Sequence, residues 1–571
     1  MKERLRAPWA IALAVSIPLT LAYLLWSPPS GDLAAATYRA NLLARAGFTL
    51  WDNGWYGGHY LPGYSLLSPA LGALLGERAL LALSVVATAG LFGVLVARAF
   101  GAAGARVAAG VFALGISVEL LSGRVAYDLG LALALLALIA LQRRHAGAAV
   151  GLALITSAAS PVAGAFLALA ALAAALAGGT RTDRRPAWHD TLDWRAAAVA
   201  VAALVPVAAF AAVFPEGGYE PFAPSVFWPG VAGVVAIALV LPRLRGELRP
   251  RTESALRWGA WLYAAALVGS YALRTPVGSN AARLGELVAA PLVAGALWER
   301  RRLALVLLAP VLLYWQLETP ISDVSELLGD PSVSASYYAP LVAELQRLGG
   351  GAPLRVEIPQ TGAHWESVYV PREGATPEDG GAARGGAARG GAARGGASPT
   401  RGAILLARGW ERQLDTRYAA LFYGARLTAG AYRAWLAENA VAYVALPDVR
   451  LDYAATAEGA LIADGLPYLR EVWRAPHWRV FAVRGATPLA QAPAALTGVG
   501  ADWFALRAPA RGSFEVRVRF TPYWALRGGA GCVSEARGGW TLVRARAAGT
   551  IGVGIDFSPA RVFAHGARCR A

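Results

Sequence analysis

The sequence predicts a polytopic α-helical membrane protein of about eleven spans, followed by an α/β domain and a small β-sandwich. Three observations carry that fold class. Hydrophobic residues make up 56% of the 571, and charged residues only 16%, against about 25% in a typical soluble domain. Apolar runs recur up to Trp315 and then stop. Beyond them, helical periodicity alternates with short β-branched runs, and from about 488 only strand-like alternation is left.

The apolar runs fall at 9–26, 79–98, 106–121, 127–142, 147–159, 162–178, 195–214, 227–242, 257–273, 284–298 and 302–316. The first follows a basic start, "MKERLRAPW", and no small-residue cleavage signature comes after it. It reads as a retained signal anchor and not as a removed leader. The stretch "AGAAVGLALITSAASPVAGAFLALAALAAALAGG" is too long for one pass, so a break is expected at Ser160-Pro161. A single kinked helix is the competing reading. "LPGYSLLSPALGALLG" is too short to span and reads as a re-entrant or interfacial helix.

Charge sets the expected topology. With the N-terminus inside, the segments 1–8, 98–106, 142–146, 179–195, 242–257 and 299–302 face the cytoplasm. They hold about nineteen Lys and Arg, against about six in the outer loops up to residue 283. The expected location is the plasma membrane, with a cytoplasmic N-terminus and an extracytoplasmic C-terminal domain. The net charge of +16 comes almost wholly from arginine placed where topology would put it. Nucleic acid is therefore not an expected partner; membrane lipid is.

The expected domains are 1–316 in the membrane, 317–487 as the α/β domain and 488–571 as the β-sandwich. Within the second, "SASYYAPLVAELQRL" and "AYRAWLAENA" read as helices, and "LRVEIP" and "VAYVALP" as strands. In the third, "SFEVRVRFT", "WTLVRARA" and "TIGVGIDF" read as strands. The five-residue repeat "GGAARGGAARGGAARGG", at about 374–400, is too polar and glycine-rich to fold and is expected to be disordered. Cys532 and Cys569 are the only cysteines. They fall in the β-rich, outward-facing end, where a disulfide between them is expected.

The first loop is unusual for so apolar a chain. "GDLAAATYRANLLARAGFTLWDNGWYGGHYLPGY" holds two aspartates, a histidine, two arginines and many aromatics. Gly31-Asp32 directly follows the first span, and "WDNGWYGGHYLPGYSLLSP" comes next. With the spans and the outward domain, these features resemble the GT-C superfamily of integral membrane glycosyltransferases. "SGRVAYDLGLALALLAL", "TPVGSNAARLGELVAAPL" and "FTPYWALRGGAGCVSEARGGWTLV" carry a closer resemblance. It is to actinobacterial multi-span proteins of the 6-pyruvoyl-tetrahydropterin-synthase-related and YfhO-like groups.

The resemblance implies transfer of a sugar from a polyprenyl-phosphate donor to a cell-envelope acceptor on the outer face. Asp32 matches, by position, the acidic residue that acts as base in GT-C enzymes. A carboxylate suits that role, because a sugar hydroxyl is a weak nucleophile until its proton is taken. Arg283, in "GSNAARL", is the candidate phosphate clamp, with Asn280 beside it. Asp52, His59, Trp55 and Tyr56 are the candidate substrate contacts. A divalent cation, Mg²⁺ or Mn²⁺, is the one cofactor the resemblance admits, though Asp32 lacks the paired acidic partner many GT-C enzymes carry. Asp52 and His59 would complete a metal site only if the loop folds back.

Plainer readings stand beside these. Asp32 also suits a helix cap, Asp52 a turn, and the loop aromatics an interfacial belt. Glu119, Arg124 and Asp128 read as local ion pairing. Trp365, Trp410, Trp478 and Trp524 read as core aromatics, with sugar contact second. A non-catalytic envelope-assembly or polymer-handling protein on the same scaffold is the alternative function. A transporter is third, since the spans hold few ionisable groups at mid-membrane.

Overall fold

The computed structural model describes residues 7–178, 192–240, 250–372, 402–424, 427–563 and 569. The Gly/Ala/Arg repeat lies outside the described residues. The chain divides into two compact units. One comprises Met1–Arg45, Pro62–Gly329 and Arg412–Arg417; the other comprises Ala46–Leu61, Asp330–Glu411 and Tyr418–Ala571.

The first unit is helical. Helix α1 (Pro8–Trp26) starts on a proline at its first position and ends at Ser27, which is left-handed with φ 52°. Pro28 and Pro29 cannot continue it, and α2 (Gly31–Ala46) begins directly after. The segment read as re-entrant or interfacial forms α3 (Ser68–Leu75), with Leu74 and Leu75 exposed. Next come α4 (Glu77–Val96), α5 (Ala102–Glu119) and α6 (Val125–Gln142). The long apolar stretch does break at Ser160, between α7 (Ala146–Ala159) and α8 (Pro161–Ala177). Ser160 is extended, and its side chain accepts from Ala163 N, so it caps α8 while Pro161 fills the first position. The remaining helices are α9 (Trp194–Val213), α10 (Pro224–Val240), α11 (Pro250–Ala272), α12 (Ala282–Leu297) and α13 (Arg302–Leu327).

Among the described residues, six of these helices, α1, α4, α5, α6, α9 and α13, are long and apolar enough to cross a membrane. The runs at α7, α8 and α10 are apolar but shorter. Helix α13 continues to Leu327, past the apolar boundary at 316, because "ETPISDVSEL" keeps helical geometry after it turns polar. The helices approach closely through small residues. A Cβ on Gly93 of α4 would fall 2.5 Å from Trp9 Cα of α1, and one on Gly104 of α5 would overlap the Gly295 carbonyl of α12. Such contacts replace the hydrophobic drive that lipid does not supply.

The second unit joins an α/β layer to a β-sandwich. Strands β3 (Leu354–Glu357), β4 (Ile404–Leu406) and β5 (Tyr443–Pro447) are parallel, with β3 between the other two. Strand β7 (Trp478–Val483) pairs antiparallel with both β5 and β6 (Leu469–Ala475). Helix α14 (Ala335–Gly349) precedes the sheet, and α15 (Ala429–Glu438) leads into β5. The sandwich pairs a sheet ordered β10-β13-β12 with one ordered β11-β14-β9-β8. Its strands are β8 (Ala495–Val499), β9 (Trp503–Ala508), β10 (Gly512–Arg519), β11 (Trp524–Gly528), β12 (Gly531–Glu535), β13 (Trp540–Ala545) and β14 (Gly549–Ile555). Cys532 and Cys569 form a disulfide.

Part of the first loop belongs to this second unit. Strands β1 (Trp51–Asp52) and β2 (His59–Tyr60) form a small hairpin. Leu406 N donates to the Gly54 carbonyl at 2.9 Å, which ties the hairpin to β4. Asn53 N donates to Ala501 O at 2.9 Å, and its side-chain amide to Gly500 O, which ties it to the sandwich. Arg519 N donates to Gly57 O at 2.7 Å. Gly57 and Gly58 have φ of 78° and 130°, and a Cβ on Gly58 would strike the Trp51 ring. The hairpin is a joint between two layers, and its glycines are there for close approach.

Candidate functional site

The first unit gathers charge where α2, α6 and α12 begin and α5 and α13 end. Asp32 sits in the first turn of α2, where the helix N-terminus favours a carboxylate. The α5–α6 turn reaches it through Gly123, which has φ 75° and lies so close to Ser30 Oγ that a Cβ would overlap that oxygen. Ser30 Oγ also donates to the Ser122 carbonyl at 2.5 Å. This pinning brings Arg124 onto Asp32, with Nε 3.1 Å from Oδ2. Arg124 Nη1 lies 2.5 Å from Glu119 Oε1, and Nη2 lies 3.8 Å from Asp323 Oδ2. Ser122 Oγ donates to that same Asp323 oxygen at 2.7 Å. Burial works against the charge on Arg124, but Glu119, Asp32 and Asp323 outweigh it and hold the guanidinium as a cation.

Arg283 completes the cluster from α12. A short 3₁₀ turn, Gly278–Ala281, leads into that helix, and Tyr263 Oη pins it by donating to the Ala281 carbonyl at 2.8 Å. Arg283 Nη2 stands 3.9 Å from Asp32 Oδ2, and its guanidinium lies 5.6 Å from the Tyr127 ring centre. A cation in a first helical turn works against the dipole. Asp32 and Tyr127 provide the compensation. Asp32 keeps 34% of its side chain exposed and Arg283 22%, so both remain open to a ligand.

Of the residues read from sequence, Asp32 and Arg283 meet at one carboxylate oxygen. Asn280 is buried in the 3₁₀ turn just before Arg283. Against expectation, Asp52, His59, Trp55 and Tyr56 lie in the second unit and are buried there, at 1% exposure or less. Trp55 stacks on His59 and donates to the Ser367 carbonyl, while Tyr56 Oη donates to the Gly409 carbonyl. Asp52 Oδ1 accepts from Gly54 N and so closes the turn. Their polarity is spent inside the joint.

No family model and no curated protein matches this sequence.

Sequence reading passed over Glu220 and Asp323, and took Arg124 only as a local partner. The Arg124–Glu119 pair is local, but the same guanidinium also reaches Asp32 and Asp323. Glu220 accepts from Ser279 Oγ at 3.3 Å. Burial pushes its carboxyl up to about 7; Arg412 and Arg283 pull it down, and Asp32 adds to the rise. The signal for it was an acidic residue in a Gly/Pro-rich loop between two apolar runs, "PEGGYEPF". Asp128, one turn into α6, is fully buried, and neither carboxylate oxygen makes a hydrogen bond among the described residues.

Among the described residues, no group of three His, Cys, Asp or Glu is arranged to hold a metal ion. Asp32 Oδ2 already faces two guanidiniums, and Asp52 and His59 belong to the other unit. No step is assigned to a metal here.

Proposed function

We propose that this protein is a GT-C-like membrane glycosyltransferase that moves a sugar from a polyprenyl-phosphate donor to a cell-envelope acceptor. In this reading the first unit crosses the plasma membrane about eleven times, and the second unit faces outward. The observation that carries it is the meeting of Asp32 and Arg283, far apart in sequence, within 3.9 Å. A base and a phosphate-binding fork are what sugar transfer from a phosphate needs side by side.

The acceptor hydroxyl attacks the anomeric carbon, and its proton passes to the Asp32 carboxylate. The bond from the anomeric carbon to the phosphate oxygen breaks, and polyprenyl phosphate leaves with that electron pair. Arg283 offsets the charge on the leaving phosphate.

One observation favours the non-catalytic alternative. Asp32 Oδ2 already faces the guanidiniums of Arg124 and Arg283, which is the arrangement of a structural ion-pair cluster. The purified protein, given radiolabelled polyprenyl-phosphate sugars and envelope acceptors, tests the choice. Labelled product supports transfer. No product over a broad donor panel supports an assembly protein on the same scaffold.

A further inference from the structure

The second unit holds a polar cluster that sugar transfer does not use. It lies where the three parallel strands end. Strand β3 is flanked by β4 on one side and β5 on the other. The chain leaves β3 for one neighbour and later returns to the opposite side, so the strand order reverses beside β3. In open α/β sheets such a reversal opens a crevice at the carboxyl ends of the strands, and ligands bind there.

Three loops follow these strand ends: 358–365 after β3, 407–411 after β4 and 448–455 after β5. Backbone bonds fix them to one another. Asp452 N donates to Gln360 O at 2.9 Å, and Gly362 N to Arg450 O at 2.8 Å. Gln360 Nε2 donates to Gly409 O at 2.8 Å. Beneath them Arg408 is buried on Glu458 at 3.1 Å and on Gln360 Oε1 at 3.0 Å. The floor is rigid.

His364 stands at the centre. Its φ is 58°, a costly conformation for a residue with a Cβ, of the kind held at ligand sites. Its Nε2 lies 3.5 Å from Asp452 Oδ2. Its Nδ1 is buried, makes no hydrogen bond among the described residues, and faces Glu366 Oε1 at 3.9 Å. The imidazole lies flat on Trp410, with ring centres 3.4 Å apart and planes 4° apart. Trp365, Trp478 and Trp524 are core residues, whereas Trp410 keeps part of its surface open. Tyr453, next to Asp452, is 62% exposed.

We propose that this crevice binds a neutral saccharide. The Trp410 indole offers a flat apolar surface to the C–H face of a sugar, and Asp452, whose Oδ1 also accepts from Ala454 N at 2.9 Å, accepts from its hydroxyls. Asp452, beside the imidazole, opposes a phosphate or a uronate. His364 is a positioning residue that holds the Trp410 ring. The site stands whether or not the first unit transfers sugar.

Saturation-transfer NMR on the full-length protein in detergent, with no donor present, tests it. The probes are mannotriose, maltotriose and cellotriose, with a trigalacturonate as the anionic control. At least one neutral trisaccharide is expected to receive saturation at concentrations up to about 10 mM. The trigalacturonate is expected to bind about tenfold more weakly. Trp410→Phe keeps a stacking ring, and Trp410→Leu keeps bulk without one. Binding retained in the first and lost in the second supports the site. Equal binding by both variants, no signal from any neutral trisaccharide, or preference for the trigalacturonate overturns it.

Discussion

A single guanidinium, that of Arg124, holds the carboxylates of Asp32, Glu119 and Asp323 at once. Removing it leaves Glu119 largely buried without this partner, beside the partly exposed Asp32 and Asp323. Arg124→Gln is expected to destabilise the first unit by about 1–3 kcal/mol, read as a lower thermal midpoint in detergent. An unchanged midpoint would mean that the carboxylates find other partners. Glu220 gives a pH signature. Its folded value, about 7, lies above its unfolded value of 4.5. Between those two values the folded chain binds more protons, so the Glu220 contribution to stability is full below 4.5 and is lost as pH rises through 7. Glu220→Gln is expected to flatten that fall. A midpoint that still drops across this window in the variant assigns the titration elsewhere.

At the scale of elements, the α5–α6 turn and the first-loop hairpin do different jobs. The turn sets the cluster. Gly123→Ala would place a Cβ against Ser30 in left-handed backbone, costing about 1–3 kcal/mol and moving Arg124 off Asp32. Sugar transfer is expected to fall with the thermal midpoint; full transfer in that variant would show the turn is not needed. The break at Ser160-Pro161 was legible in sequence, because a proline and a capping serine act locally. The helices and strands of the C-terminal half were legible for the same reason, through periodicity. The role of "WDNGWYGGHY" was not. Buried aromatics with glycines and an aspartate look alike in a substrate loop and in a joint. Only the distant partners Leu406, Gly500 and Ala501 distinguish the two. Asp32 was legible because it follows a span directly. Glu220 and Asp323 were hidden, since their meeting with the cluster depends on how non-adjacent helices pack.

For the whole molecule, hydropathy foretold a membrane protein, while the number of spans rests on helices of uneven length. Six are long enough by themselves; the rest need tilt or a thinner bilayer to span. Topology is checked by cysteine labelling: Gly385→Cys is expected to react with an impermeant reagent in intact cells, and labelling only after lysis would place the C-terminal half in the cytoplasm. The Cys532–Cys569 bridge spans 37 positions. Reducing it is expected to cost the second unit about 3–4 kcal/mol in denaturant unfolding. The most direct test of the central claim is transfer of radiolabelled sugar from polyprenyl phosphate by wild type, Asp32→Asn and Arg283→Lys side by side. The account predicts a fall of roughly 100-fold or more for Asp32→Asn, with folding intact. It predicts a loss of about tenfold for Arg283→Lys, whose point charge cannot replace the fork. Wild-type transfer by Asp32→Asn would contradict it.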